Sequence, residues 1–227
     1  MEAKMFRRYV RTDDLAEVIP VFPLTGVVLL PRGTLPLNIF EPRYLKMVDD
    51  VMRGNRLIGM VQPRTHENAN AAPPLFEIGG VGRITTYSET DNARFQIVLS
   101  GLCRFRIAEE LDVTTPYRQV RADYEPYAAD LTEPEDEGLD EEQRHRLFGM
   151  LKTYLADRNL DADWESIKRA PAEHLVNALA MICPFEPREK QALLEAQSLS
   201  ARTEALIALI AMSSTDLPPT DNGGAMQ

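Results

Sequence analysis

Five prolines (Pro20, Pro23, Pro31, Pro36 and Pro42) interrupt an otherwise mostly apolar opening that runs through IPVFPL (residues 19–24), VVLLP (27–31) and LPLNIFEPRY (35–44). Proline fixes φ and has no N–H to donate, so this stretch cannot be one helix or one long strand. It has to be a series of short extended pieces with sharp corners, apolar enough to be buried. That is how the opening of a small, irregular β-barrel reads.

The rest of the chain supports a barrel first and helices after it. Residues 18–37 read as two or three short strands. Residues 41–53 read as a helix, with Pro42 in its first turn, Leu45, Val48 and Met52 at helical spacing and Gly54 as a stop. Residues 57–61 form a short apolar strand, and the polar stretch 64–74 a long loop. A strand over 78–87 begins at Gly79, Gly80 and Gly82, turns at 88–92 and returns over 95–99. The glycines suit a bulge or a tight barrel corner. Then Cys103, Phe105 and Ile107 alternate with Leu102, Arg104 and Arg106, which puts both arginines on one face. A strand over 117–124 closes the barrel and removes its open edges.

Beyond this point the period changes from 2 to about 3.6. Leu147, Leu151 and Tyr154 make one helical stripe. Asp163 caps a short helix carrying Trp164 and Ile167. Pro171 opens a helix with Leu175, Leu179 and Ile182, and Pro187 opens one with Leu193 and Leu194. Ser198 or Ser200 precedes a last helix with Leu206, Leu209 and Ile210. The expectation is an α+β protein: a β-barrel with one helix at 1–127, an acidic linker at 128–142, a small bundle of four or five short helices at 143–212 and a flexible tail at 213–227. No internal repeat is present.

Charge is unevenly placed. Residues 1–127 hold 16 basic and 16 acidic residues, whereas 128–227 hold 9 and 19, so the whole formal net charge of −10 belongs to the second part. Asp130, Glu133, Glu135, Asp136, Glu137, Asp140, Glu141 and Glu142 follow one another without a basic residue. They read as a solvated linker leading into a helix start, where acids suit the dipole. Such a surface argues against nucleic acid and anionic lipid. The 44% hydrophobic and 26% charged content is that of a globular, water-soluble chain. The apolar segment 18–40 is broken by prolines and Arg32, so it does not read as a membrane span. Residues 1–17 carry arginines without an apolar run behind them, so they do not read as a secretory signal. Cys103 and Cys183 lie far apart and read as buried free thiols, which fits a reducing, cytoplasmic setting.

Catalytic motifs are missing from these 227 residues. Nothing reads as a P-loop or a nucleophile elbow. His66, His145 and His174 share no metal-ligand spacing, and no cysteine accompanies them. Neither a metal nor a cofactor is expected.

Six landmarks in order carry a resemblance: PVFPL (20–24), LLP (29–31), PL (36–37), FEPRY (40–44), GGVGR (79–83) and GLCRFRI (101–107). Together they resemble the N-terminal substrate-binding domain of Lon proteases over roughly 18–124, and the helical part resembles that of stand-alone bacterial Lon-domain proteins. The resemblance implies a PUA-like barrel without the ATPase and Ser-Lys protease modules. It also implies a non-catalytic role in protein quality control, recognising unfolded or damaged protein segments.

Chemistry and family position together select Phe40, Arg43, Tyr44, Met47, Arg104 and Arg106 as candidate peptide-binding residues. Each also has a plainer reading. Arg43 pairs with Glu41 at the helix entry, Tyr44 and Met47 pack on the barrel, and Arg104 and Arg106 form local ion pairs. Met52 and Met60 are further adaptable apolar candidates. A strand edge could add hydrogen bonds to an extended peptide without reading its sequence, with an affinity on the order of micromolar, about −8 kcal/mol. The expected partner is unfolded or partly folded polypeptide, and a homo-oligomer would add avidity. The alternatives are an adaptor for one folded partner protein and an RNA-binding PUA-like module. Against the RNA reading, Phe105 alternates away from the two arginines instead of interleaving with them.

Overall fold

The computed structural model describes residues 9–64, 73–90, 94–132, 139–157, 161 and 163–215. Most of the 64–74 loop, His66, part of the 88–92 turn, the middle of the acidic stretch and most of the tail lie outside the described residues.

Six strands make one sheet: β1 (Val18–Pro23), β2 (Thr34–Ile39), β3 (Leu57–Val61), β4 (Ile78–Thr90), β5 (Arg94–Leu111) and β6 (Gln119–Asp123). Their order is β2-β5-β4-β3-β1-β6, and β5 pairs again with β6. The sheet therefore closes on itself, but unevenly. The first half of β5 pairs with β2 from Thr34↔Ser100 to Ile39↔Phe95, and its second half closes the ring from Arg106↔Asp123 to Leu111↔Gln119. β1 is shared in the same way. Val18 to Pro20 pair antiparallel with β6, and Val21 to Pro23 pair parallel with β3. Pro20 and Pro23 are thus the last residues of their two pairings, where a missing N–H does least harm.

Two strands, not three, fill the opening. Residues 24–33 form no strand, yet they lie at the centre of the molecule. Successive side chains of this extended stretch point opposite ways. Leu29 enters a core with Phe22, Met47, Ile58, Ile84 and Leu99, while Val28 and Leu30 enter the core of the helices. The stretch runs so close to the β4–β5 pair that a Cβ on Gly80 would stand 1.8 Å from the Leu29 carbonyl oxygen, and one on Gly101 would stand 2.0 Å from that of Leu30. Backbone bonds from Arg32 N to Gly101 O and from Gly101 N to Gly33 O fasten it there. These glycines are needed for close backbone approach. The β4–β5 register also shifts between Val81 and Gly82, the bulge that the glycine cluster suggests. A further core inside the ring gathers Ile19, Val21, Leu57, Val81, Phe105, Val120 and Tyr124.

Helix α1 (Pro42–Met52) lies on the barrel, with Pro42 in its first turn and Tyr44, Met47, Val48 and Val51 buried at i, i+3, i+4 and i+7. Five helices follow: α2 (Glu141–Asp157), α3 (Trp164–Arg169), α4 (Ala172–Ile182), α5 (Pro187–Glu195) and α6 (Leu199–Thr215). Asp140 Oδ1 accepts from Gln143 N at the start of α2, and Asp163 accepts from the N–H groups of Glu165 and Ser166 at the start of α3. Leu147, Leu151 and Tyr154 of α2 and Leu206, Ile207 and Ile210 of α6 are buried.

α4 departs from its expected face. Val176, Asn177 and Ala180 are buried there, while Ile182 is 79% exposed. The turn of the helix follows from a polar requirement. Asn177 Nδ2 donates to the Pro31 carbonyl, and its Oδ1 accepts from Arg202 Nη1, so the inward face is the one that serves the 24–33 stretch.

Polar side chains join helices and barrel elsewhere too. Gln62 Nε2 donates to Pro187 O and Gln191 Oε1, Gln62 Oε1 accepts from Gly26 N, and Gln191 Nε2 donates to Ile78 O. Arg32 pairs with Glu173 at 2.7 Å. Among the described residues no helix is long and apolar enough to cross a membrane.

Candidate functional site

The sheet face under α1 carries Leu35, Leu37 and Ile39 of β2, Phe95, Ile97 and Leu99 of β5, and Ile84 of β4. This follows from the pairings Leu35↔Leu99, Leu37↔Ile97, Ile39↔Phe95 and Ile84↔Leu99. Strict alternation from Ile84 would bring Thr86 and Ser88 to that face next. It does not, because the β4–β5 register shifts between Ile84 and Thr86. Thr85 is the extra residue, and its hydroxyl instead lies 3.1 Å from that of Ser100. Tyr87 therefore stands opposite Ile97, on the apolar face, beside Phe95 at a ring separation of 5.1 Å.

α1 covers only part of this face. Ile97 and Ile39 are buried beneath it, but Phe95 is half-buried and Tyr87 is 38% exposed. Phe40, immediately before the helix, is 60% exposed, and the Arg94 guanidinium sits 5.9 Å from its ring centre. The apolar face thus runs out from under α1 as the ring pair Phe95 and Tyr87, with Phe40 and Arg94 beside one another at the adjoining strand ends. The sheet ends next to it in a free strand edge, since β2 has β5 as its only strand neighbour among the described residues. Pro36 has no N–H for β5, so it belongs at a position whose N–H would point outward. Thr34 and Asn38, two residues to either side, then direct their N–H and C=O groups to the open edge.

The six residues selected from sequence fall in different places. Phe40 is exposed between β2 and α1, and Arg43 lies in the first turn of α1. Arg43 is paired with Glu41 at 2.8 Å and lies 4.5 Å from the Tyr44 ring centre. Tyr44 and Met47 are in the core, with Tyr44 packed on Phe22 at 4.2 Å between ring centres. Burial raises the Tyr44 hydroxyl pKa, against the opposing pull of Arg43. Arg104 and Arg106 are far from equivalent. Arg106 is half-exposed and pairs with Asp123. Arg104 is only 6% exposed, and its Nε and Nη2 donate to Asp130 at 2.9 and 2.8 Å while Nη1 donates to Leu194 O and Ala196 O. Tyr127 stacks on it at 4.6 Å. Asp130, the first acid of the run expected to be solvated, is this buried partner. Arg104 is thus a latch between β5 and the α5–α6 connection, not an open anchoring point.

Tyr87, Phe95 and Arg94 were not among the residues selected from sequence. Two aromatics near strand ends, Tyr87 and Phe95, are a usable signal, but the register shift hides the face that Tyr87 takes.

Other reactive groups are quiet. Cys103 and Cys183 are buried free thiols, and burial, reinforced by Asp130, pushes the Cys103 thiol pKa far up and so keeps it protonated. His145 and His174 are exposed on their helices. Among the described residues no three His, Cys, Asp or Glu side chains converge as a metal site would require.

A closed but uneven barrel, one covering helix and an attached helical bundle make up an α+β protein. Comparison with known proteins gives the family. The sequence model of the ATP-dependent protease La (LON) substrate-binding domain matches residues 18–212, and the chain belongs to that family. Lon protease 2 of Myxococcus xanthus is 29% identical over 204 residues, which is 88% of this chain and 24% of that protein. Lon protease of Desulfosudis oleivorans is 33% identical over 108 residues, 47% of this chain and 13% of that protein. The chain thus spans about a quarter or less of the curated relatives it matches. Two solved structures share the fold. A Lon N-terminal domain protein from Xanthomonas campestris has a TM-score of 0.60 at 23% identity, covering 84% of this chain and 97% of that one. The N-terminal domain of the Mycobacterium avium complex Lon protease has a TM-score of 0.58 at 18% identity, covering 86% and 98%.

Proposed function

We propose that the chain recognises extended, partly apolar segments of unfolded polypeptide and holds them for proteolysis, without cleaving them itself. The observation that carries this reading is the short aromatic row Phe95 and Tyr87 emerging from under α1 on a sheet whose edge strand β2 is free, with Phe40 exposed just past the end of that strand. An extended segment could lie along β2 and take backbone hydrogen bonds from Thr34 and Asn38, while its apolar side chains cover the rings. Backbone pairing reads no sequence, and the aromatic row asks only for apolar character. That suits a binder of many unfolded chains better than an adaptor for one folded protein. Burying one such ring contributes about 1.5–3 kcal/mol before the guest's ordering is subtracted, consistent with affinities on the order of micromolar. In this reading Arg43 and Arg94 form the rim, and Tyr44, Met47 and Arg104 support the surface from within.

The test is binding of the chain to one model substrate, native and reductively unfolded, without nucleotide and with cleavage followed in the same sample. The unfolded form should bind and remain intact. Phe40→Ser combined with Tyr87→Ser should weaken binding about tenfold or more while the fold persists, because both side chains are exposed. Equal binding of native and unfolded substrate, or an unaffected double variant, would overturn the proposal.

A further inference from the structure

Peptide recognition at β2 leaves a cleft between α2 and α3 unused. Arg144, Phe148 and Lys152 recur every four residues along one stripe of α2. With Trp164 and Lys168 of α3 they line a cleft of about 930 Å³, together with Glu141, His145 and Gly149. An aromatic side chain accompanies cations on each of the two helices. This is the interleaving of basic and aromatic residues that β5 lacks.

The cations have little carboxylate partnership. Arg144 Nη2 donates to the backbone carbonyl of Lys168 at 2.5 Å, and its guanidinium lies 5.3 Å from the Phe148 ring centre. The carboxylate paired with Lys168 is Glu165, at 3.8 Å and well exposed. Lys152 forms no ion pair among the described residues. Three basic side chains therefore line the cleft with Glu141 as the acidic one, and Glu165 meets Lys168 outside that lining, inside the part of the chain that holds 9 basic and 19 acidic residues. Gly149 adds a separate observation. A glycine inside a helix is about 1 kcal/mol less favourable than alanine. Nothing stands within 4 Å of where its Cβ would be, so close packing does not explain it. Its effect is to leave the cleft wall open between Phe148 and Lys152.

We propose that this cleft binds a free nucleotide, with the base against Trp164 or Phe148 and the phosphates on Arg144, Lys152 and Lys168. Phe148 and Trp164 are both only half-buried, so each leaves ring surface for a third flat ring. The cations supply the charge that phosphate seeks. A compact anion is favoured over a nucleic-acid strand because the surrounding surface is strongly acidic and would repel a long polyanion.

Trp164 is the only tryptophan of the chain, so its single indole N–H resonance reports on this cleft alone. The chain would be titrated with ADP, adenosine, inorganic diphosphate, a single-stranded oligonucleotide and a Glu-rich peptide, with calorimetry alongside. ADP should shift the indole resonance saturably at sub-millimolar concentration, with adenosine and diphosphate each about tenfold weaker. Lys152→Glu with Lys168→Glu should weaken ADP about tenfold and leave thermal stability and unfolded-substrate binding unchanged, since both side chains are exposed. The proposal is overturned if ADP produces no saturable shift or heat, if the double variant binds it as tightly, or if the oligonucleotide or acidic peptide binds more tightly than ADP.

Discussion

Tyr117 shows how one side chain ties the covering helix to the barrel. Its ring is buried beside α1 and its hydroxyl donates to Asp50 at 2.9 Å. Burial and that carboxylate push its pKa up from 10.0 to about 12, while hydrogen bonds from Lys46 and Tyr117 lower that of Asp50. A phenol whose folded-state pKa exceeds the unfolded value contributes stability that is complete below pH 10 and lost as the pH rises toward about 12. The melting temperature should therefore hold through pH 8 and fall increasingly above it, with this group withdrawing stability on the order of 2 kcal/mol between pH 10 and 12. Burial also raises Tyr124 and Cys103, which adds to the fall. Thermal melts of the native chain and Tyr117→Phe across this range isolate the Tyr117 share. The variant should be less stable at neutral pH and should lose less on the way up. An identical alkaline slope would refute the assignment.

At the scale of elements, the second half of β5 carries two arginines with two different tasks. Arg104 is enclosed by the Glu125–Leu131 turn and the α5–α6 connection, and its side chain and that of Asp130 are 7% and 10% exposed. Arg106, two residues on, pairs with Asp123 in the open. Removing one partner of a buried pair leaves a stranded charge, so Asp130→Asn should cost about 3–5 kcal/mol, whereas Asp123→Asn should cost about 1 kcal/mol or less. Urea unfolding midpoints of the two variants would settle the contrast, and similar losses would contradict it. The alternation of residues 102–107 shows the two arginines on one strand face, but not what later folds over one of them. That depends on residues about 26 and 90 positions away. Local pattern made the covering helix legible, because Pro42, the apolar spacing and Gly54 all lie within it or just past its end. It misplaced the α4 face, where Asn177 answers to Pro31 across 146 positions. It also could not reveal Tyr87, whose face is set by a one-residue register shift. Of the candidate surface, Phe40 and Arg43 were readable from sequence, and the neighbours completing it depend on strand pairing.

Taken whole, the molecule has a near-neutral barrel and an acidic helical part joined through side chains that are mostly buried. Gln62, Gln191, Asn177, Arg202 and Arg104 all bond across or beside that junction and are buried. The 24–33 stretch lies between the two cores and gives Leu29 to one and Val28 and Leu30 to the other. A chain ended after residue 127 would keep every strand yet lose what covers Val28, Leu30 and Ile78, and would leave Arg104 without Asp130. It should be recovered largely as aggregate. Restoring solubility by Val28→Thr with Leu30→Ser and Arg104→Ser, measured as the monomer fraction by size exclusion, would trace the defect to that face; a soluble, monomeric unmodified truncation would disprove it. The barrel is therefore not an interchangeable cassette. A chimera that borrows it must also bring the helices that shelter its inner seam, or rewrite the seam for water.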